Sequence, residues 1–302
     1  MLSVSIVVPS YQGSAKLQLL LTALEAQQTS CDWEVVVALD GSTDGSRELL
    51  DAWRDRVPLV VIDRGENRGR AFTLNEGFAH ASKAILVRCD DDLEPAPNYI
   101  ELFSSLLTAD PTIGVVGLYK NNYPSTAYSK AYGTIVDRRF AAEAYQSDPA
   151  RQWHYWGGNC AVTRETFNLV GNYDENFRQY GYEDVDWGYR LAALGRRVVL
   201  EPRLETTHNV AATTTAGRCQ RARWSGEASV RFNLKHGLTN PAKDSSLWNS
   251  LVDFTASFAG KGLGNFIDFL LPALPSGVAL RLVDLAVQAA HQRGVNEATK
   301  AK

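Results

Sequence analysis

The chain reads as an α/β protein with a mainly parallel central sheet flanked by helices and a helical C-terminal region. Three observations predict this. Short β-branched runs alternate with amphipathic stretches through the first half, as in a parallel sheet covered on both faces. Three of the runs are followed by polar or acidic turns, Pro9-Ser10-Tyr11, Asp40-Gly41-Ser42 and Asp90-Asp91-Asp92. Ligands of such sheets bind at the carboxyl ends of the strands. From about residue 211 onward the pattern is mainly helical.

The elements follow in order. Residues 4–8 read as a strand and 17–27 as a helix. A second strand at 35–39 leads to a helix at 47–53, and a third strand lies at 59–62. Ala71, Leu74, Phe78 and Ala81 share one face of the next helix. A fourth strand at 85–87 precedes the acidic triplet, with a helix beginning near Pro97. After a strand at 113–118 the pattern loosens into a Tyr-rich segment through Tyr145, and Trp153 to Asn159 gathers aromatics around a Gly pair. Regular structure resumes with a helix at 183–194 and a strand at 198–200.

Composition narrows the function. The 302 residues are 45% apolar, enough for a core, and the formal charge of −3 gives no broad electrostatic case for nucleic acid. Cys31, Cys89, Cys160 and Cys219 lie far apart without a C-x-x-C pair. That argues against a zinc site or disulfide framework and fits a reducing, cytoplasmic setting. The N-terminus enters a strand pattern at once and has no basic n-region, so no secretory leader is expected. The apolar region at 266–290 is broken by Asp268, Pro272, Pro275, Arg281 and Asp284, so no transmembrane segment is expected.

Three adjacent carboxylates repel one another unless a cation or basic partner neutralises them. Asp90-Asp91-Asp92 therefore suits a hard divalent cation, Mn2+ or Mg2+, shared with substrate phosphates; the plainer reading is a solvated turn capping a helix. In Asp40-Gly41-Ser42-Thr43-Asp44-Gly45-Ser46, Asp44 or Ser46 could cap the following helix. Asp40 could also accept hydrogen bonds from a base or ribose.

At this point the sequence resembles the family-2 glycosyltransferases of the GT-A fold. The pieces stand in the family's order: Val4-Ser5-Ile6-Val7-Val8-Pro9-Ser10-Tyr11, the Asp40 turn, Asn67-Arg68-Gly69 with Asn75-Glu76-Gly77, the triplet at the D-x-D position, Trp156-Gly157-Gly158-Asn159 and Gly181-Tyr182-Glu183-Asp184. They cover residues 3–235. The resemblance implies a GT-A catalytic domain over 1–210, with a nucleotide-binding half at 1–115 and an acceptor half at 116–210, followed by a helical region at 211–302. It places Pro9, Tyr11 and Asp40 around the nucleoside, and Arg70 and Asp91 on the nucleotide side. Of the D-x-D positions, Asp90 would face the nucleotide and Asp92 the metal. Leu39 departs from relatives that carry a second Asp there, leaving Asp40 as the sole acidic candidate.

Glu183-Asp184-Val185-Asp186 opens a helix, where acidic residues also serve the helix dipole. By resemblance Asp184 is the catalytic base and Glu183 orients the acceptor, with Trp156 and Gly157 lining the acceptor side, while Asp186 is structural. His208 would complete the metal coordination. Gln220-Arg221-Ala222-Arg223-Trp224 is similar to the Q-x-x-R-W signature of processive members. It implies that Arg223 approaches the diphosphate and Trp224 stacks on acceptor sugar, without polymer export. An amphipathic helix with no such role is the alternative.

The expected partners are a nucleotide-sugar donor, UDP-sugar by family default, and a glycan, lipid-linked or small-molecule hydroxyl acceptor. A non-catalytic sugar-binding module of the same fold is the second reading. A pyrophosphorylase lacks its Gly-rich basic loop here, and a Rossmann dehydrogenase its G-x-G-x-x-G. Residues from about 240 could pack on the catalytic domain, form a homo-oligomer contact or rest on a membrane surface.

Overall fold

The computed structural model describes residues 1–178, 181–209, 212–239, 246–258 and 260–300. The chain divides into two compact units, Met1–Asn122 with Ala141–Arg178 and Glu183–Asn209, and Tyr123–Phe140 with Gln179–Tyr182 and Val210–Lys302. The second unit thus takes in Tyr123–Phe140, which the sequence reading kept with the first.

The first unit opens as an alternation of strand and helix: β1 (Val4–Ser10), α1 (Ser14–Glu25), β2 (Trp33–Leu39), α2 (Ser46–Ala52), β3 (Leu59–Asp63), α3 (Arg70–His80) and β4 (Ile85–Cys89). The continuous apolar runs fold this way because both sheet faces are covered, and every residue of β1 and β4 is buried. The short β5 (Leu93–Glu94), α4 (Tyr99–Ala109), β6 (Gly114–Val116) and β7 (Tyr119–Asn122) come next. In the second unit's share of the chain a π-helical turn at Ser129–Gly133 runs into α5 (Thr134–Gln146), which returns to the first unit at Ala141; the sequence suggested only irregular chain here. Ala144 is the sole buried residue described on α5, so it carries no apolar stripe to read.

The remaining elements of this unit are β8 (Asn159–Thr163), α6 (Arg164–Val170), α7 (Glu183–Ala193), β9 (Val198–Leu200) and β10 (Thr206–Asn209). The central sheet has the order β3-β2-β1-β4-β8-β6-β9. It is parallel except for β8, which runs antiparallel between β4 and β6. A second sheet, β5-β10-β7, pairs Leu93 with His208 and thereby fixes the residue after Asp92 beside that histidine.

In the second unit α8 (Thr215–Lys235), α9 (Leu247–Ala256), α10 (Lys261–Leu270) and α11 (Ser276–Lys300) surround a core that includes Val252, Ile267, Val283 and Ala289. A Cβ at Gly226 would overlap the backbone of α11 at His291, and one at Gly294 the backbone of α8 at Arg223. The two glycines let α8 and α11 pack in close contact.

Candidate active site

Cys89 closes β4, and the three aspartates that follow leave in three directions. Asp90 turns back onto its own strand, where Arg88 Nε donates to its Oδ1 at 3.0 Å. Arg70, the first residue of α3, places a guanidinium nitrogen 3.6 Å from Asp90 Oδ2. Burial opposes ionisation of Asp90, but Arg88 and Arg70 overcome it and hold its pKa at about 2. The backbone N–H of Asp90 donates to Gly158 O at 2.8 Å. A Cβ at Gly158 would overlap the Asp90 carboxyl, so this approach needs glycine.

Asp91 points the other way. Ser10 Oγ donates to its Oδ2 at 2.6 Å and Lys16 Nζ to its Oδ1 at 3.3 Å. Burial raises its pKa to about 6 against the pull of Lys16. The expectation that Asp91 contacts the nucleotide gives way to a brace between the strand end and α1, because both oxygens are engaged.

Asp92 faces His208, with Oδ2 3.4 Å from Nε2. Its Oδ1 is buried and accepts no hydrogen bond. His208 Nδ1 lies 2.6 Å from Asn121 Oδ1. An amide oxygen only accepts, so Nδ1 is the donor of this contact, which turns Nε2 toward Asp92. A ring nitrogen aimed by a second residue's hydrogen bond and a carboxylate oxygen without a partner are the kind of donors a divalent cation takes. Among the described residues no cluster of three or more His, Cys, Asp or Glu could hold a metal by itself. Two protein donors suffice where substrate phosphate and water complete the set, and Asp92 and His208 fit that requirement.

Arg88 is the residue the sequence reading missed. It is 1% exposed, and besides Asp90 it hydrogen-bonds Asp184 Oδ1 at the start of α7. One guanidinium therefore joins the D-x-D corner to the expected base, two segments far apart in the chain. Burial raises the pKa of Asp184 to about 7 against the lowering influence of Arg88. Glu183 is 3% exposed. Its Oε1 lies 3.8 Å from Arg70, and its buried Oε2 has no hydrogen-bond partner. Asp186 is fully buried and paired with Arg190 at 2.9 Å, the structural role expected of it.

The first two strand ends form one stitched surface. Gln12 N donates to Ser42 Oγ at 3.0 Å, Gln12 Nε2 to Thr43 Oγ1 at 3.1 Å, and Ser14 N to Asp44 Oδ2 at 2.9 Å. Gly45 occupies the N-cap position of α2, so Asp44 ties the loops together and bonds Ser46 rather than serving as the cap residue. Pro9 is buried in β1, while Tyr11 is 52% exposed at the rim. Asp40 accepts from the amides of Arg68, at 2.7 Å, and Gly69, at 3.1 Å, and so fixes the loop that delivers Arg70.

One aromatic expectation changes. Trp156 is 4% exposed, stacked on Trp187 with ring centroids 4.7 Å apart, and donates to Tyr173 Oη at 3.1 Å. Its indole faces belong to the core and offer no acceptor platform. Gly157 is half-buried beside Tyr119. In the second unit Arg223 is held by Glu297, at 2.6 Å, and by Glu227, at 3.6 Å. Both partners lie in the same unit, and Trp224 is half-buried on the same helix.

Comparison with known proteins identifies the family and the fold. The family model described as glycosyl transferase family 2 matches residues 5–170, and one described as the N-terminal domain of galactosyltransferase matches residues 138–211. An uncharacterized glycosyltransferase, YfnE of Bacillus subtilis, is 23% identical over 250 residues, 68% of this chain and 64% of its own length. Validoxylamine A glucosyltransferase of Streptomyces hygroscopicus subsp. jinggangensis is 27% identical over 221 residues, 63% of this chain and 51% of its own length. The matches thus span about half to two thirds of these relatives. The mannosyltransferase PcManGT from Pyrobaculum calidifontis, solved with GDP-Man and Mn2+, superposes with a TM-score of 0.66 at 20% identity. That alignment covers 97% of this chain and 87% of the neighbour, and it identifies the α/β unit as a GT-A fold. With its matched segment running from β1 through the D-x-D corner to α6, the chain belongs to glycosyl transferase family 2.

Proposed function

We propose that the chain transfers a sugar from a nucleotide diphosphate sugar to an acceptor hydroxyl in one inverting displacement, with Asp184 as the base. The observation that carries this reading is the Arg88 bridge, which gathers Asp90 and Asp184 around one buried cation. In the step, the acceptor oxygen bonds to the anomeric carbon as the bond to the diphosphate oxygen breaks, and the hydroxyl proton passes to Asp184. Arg88 holds Oδ1 of that carboxylate, which leaves Oδ2 to receive the proton. A pKa raised by burial makes it a stronger acceptor than an ordinary carboxylate.

Glu183, with its unsatisfied Oε2, orients the acceptor hydroxyls. Arg70 faces the donor phosphates from the start of α3, where the helix dipole also favours anions. Mn2+ or Mg2+ held by Asp92 and His208 would supply neutralisation of the charge on the departing diphosphate. Residues 1–115 serve as the nucleotide half and 116–210 as the acceptor half. The donor is a UDP-sugar, the default of the resembling family. The acceptor is a glycan, lipid-linked or small-molecule hydroxyl, and the setting is cytoplasmic.

Asp184→Asn tests the base. Transfer should fall by ~10²–10⁴-fold, the usual worth of a positioned base, while UDP binding in the presence of Mn2+ stays within a factor of two or so. Unchanged transfer would remove Asp184 from the mechanism. A thermal-shift series with UDP, GDP and dTDP, each with and without Mn2+, tests donor and metal, since a ligand of the folded state raises its melting temperature. GDP is the chief comparison, because the PcManGT neighbour was solved with GDP-Man.

A further inference from the structure

The helical unit carries an apolar surface that its own core does not use. Along α9, Leu247, Leu251 and Phe254 recur at helical spacing, and Phe258 continues the stripe past the helix end. They are 91%, 44%, 69% and 55% exposed, while Val252 and Ala256 on the opposite face are buried. On α10, Phe266 and Phe269 point outward at 59% and 80% exposure, whereas Ile267 and Gly264 face inward. Both helices are thus apolar on two faces. These six side chains expose on the order of 700 Å² between them, shared by the two helices.

Charge selects the partner. Between Ser246 and Leu280 the only charged residues are Asp253, Lys261 and Asp268. Asp268 is turned inward, accepting from the amides of Thr215 and Ala216 at the start of α8. Over the whole unit, 14 Lys and Arg stand against 7 Asp and Glu, a formal charge of +7, in a chain whose total is −3. Lys130, Arg138, Arg139 and Arg281 are exposed. Two copies meeting through this unit would bring like charge together, whereas an anionic surface would be attracted to it. Aromatic and aliphatic side chains on helices, set in a basic unit, are the two signals that stable interfacial binding to a bilayer requires.

We infer that the helical unit docks on an anionic phospholipid bilayer, inserting the α9 and α10 side chains at the headgroup boundary. This goes beyond sugar transfer and does not depend on it. Sedimentation of the full chain with vesicles tests it, using phosphatidylcholine alone and equimolar phosphatidylcholine and phosphatidylglycerol. Binding is expected to the mixed vesicles, weakening as salt screens the attraction.

Phe266→Ser and Phe269→Ser should each lower partitioning about tenfold, and the double change should compound the loss. Both are exposed positions, so unchanged melting will show that the fold is intact. No sedimentation with mixed vesicles, or equal sedimentation with phosphatidylcholine alone, overturns the inference. So does a dimeric mass by light scattering that the Phe variants dissolve, because a second copy would then cover the face. None of these outcomes bears on turnover.

Discussion

Arg88→Met removes the cation from two buried carboxylates at once and keeps roughly the volume of the side chain. Arg88 is 1% exposed, and its partners Asp90 and Asp184 are 18% and 19% exposed, so water replaces little of what is lost. Deleting one partner of a buried pair destabilises by about 3–5 kcal/mol, chiefly because the remaining charge is left uncompensated. Arg70 keeps part of the compensation at Asp90, at 3.6 Å, so Asp184 should account for most of the effect. For a domain of this size the loss corresponds to a melting temperature lower by roughly 6–20 °C.

Thermal melting followed by tryptophan fluorescence reports it, since Trp156 and Trp187 lie in the core of the same unit. At about pH 9, where an anionic Asp184 is most costly without Arg88, adding Asp184→Asn to Arg88→Met should restore part of the stability, a coupling of about 0.5–3 kcal/mol. Arg88→Lys should fall between the parent and the Met variant, because an ammonium cannot bridge two carboxylates as a planar fork does. If Arg88→Met melts within about 2–4 °C of the parent, the bridge is not the organising contact of this site.

Two further outcomes follow from the same geometry. Gly158→Ala should lower transfer by ~10²-fold, because its methyl would displace the Asp90 carboxyl and a shift of about 1 Å in a positioned group is enough. Gly157→Ala, whose methyl would meet only Tyr119 Oη at 3.4 Å and Tyr155 O at 3.7 Å, should be close to neutral in the same assay. The pH dependence of kcat/KM should report Asp184, whose pKa stands at about 7. A protonated carboxyl cannot accept a proton, so the rate should fall about tenfold per pH unit below that value and level off above it. The acid limb should be absent from the residual rate of Asp184→Asn.

Much of the first unit was legible because its strands are continuous apolar runs and its helices carry one clear face. The alternation from Val4 to Cys89 gave four parallel strands, and the acids after them marked the ligand end of the sheet. What stayed hidden depended on contacts across the chain. Asn-Cys-Ala-Val-Thr in β8 has too little apolar character to announce a central strand, yet every residue of it is buried. Trp156 beside a Gly pair reads as a sugar platform, and only packing against Trp187 shows that its faces are taken. Arg88 did leave a trace: an arginine inside the run Ile-Leu-Val-Arg-Cys needs a buried anion, and three acids follow within four residues. Gly158 could be told from Gly157 only through the position of Asp90.

The cross-linked loops after β1 and β2 have a consequence for altering donor choice. Gln12 reads Ser42 and Thr43 across the gap, and Asp44 secures the amide of Ser14. Each loop is held in part by the other. A loop transplanted from a relative into one of these places would arrive without its counterpart and leave several polar groups of the other without their matching atoms. On the proposed reading, in which these strand ends flank the nucleoside, exchange of donor specificity has to move residues 11–14 and 41–45 as one cassette.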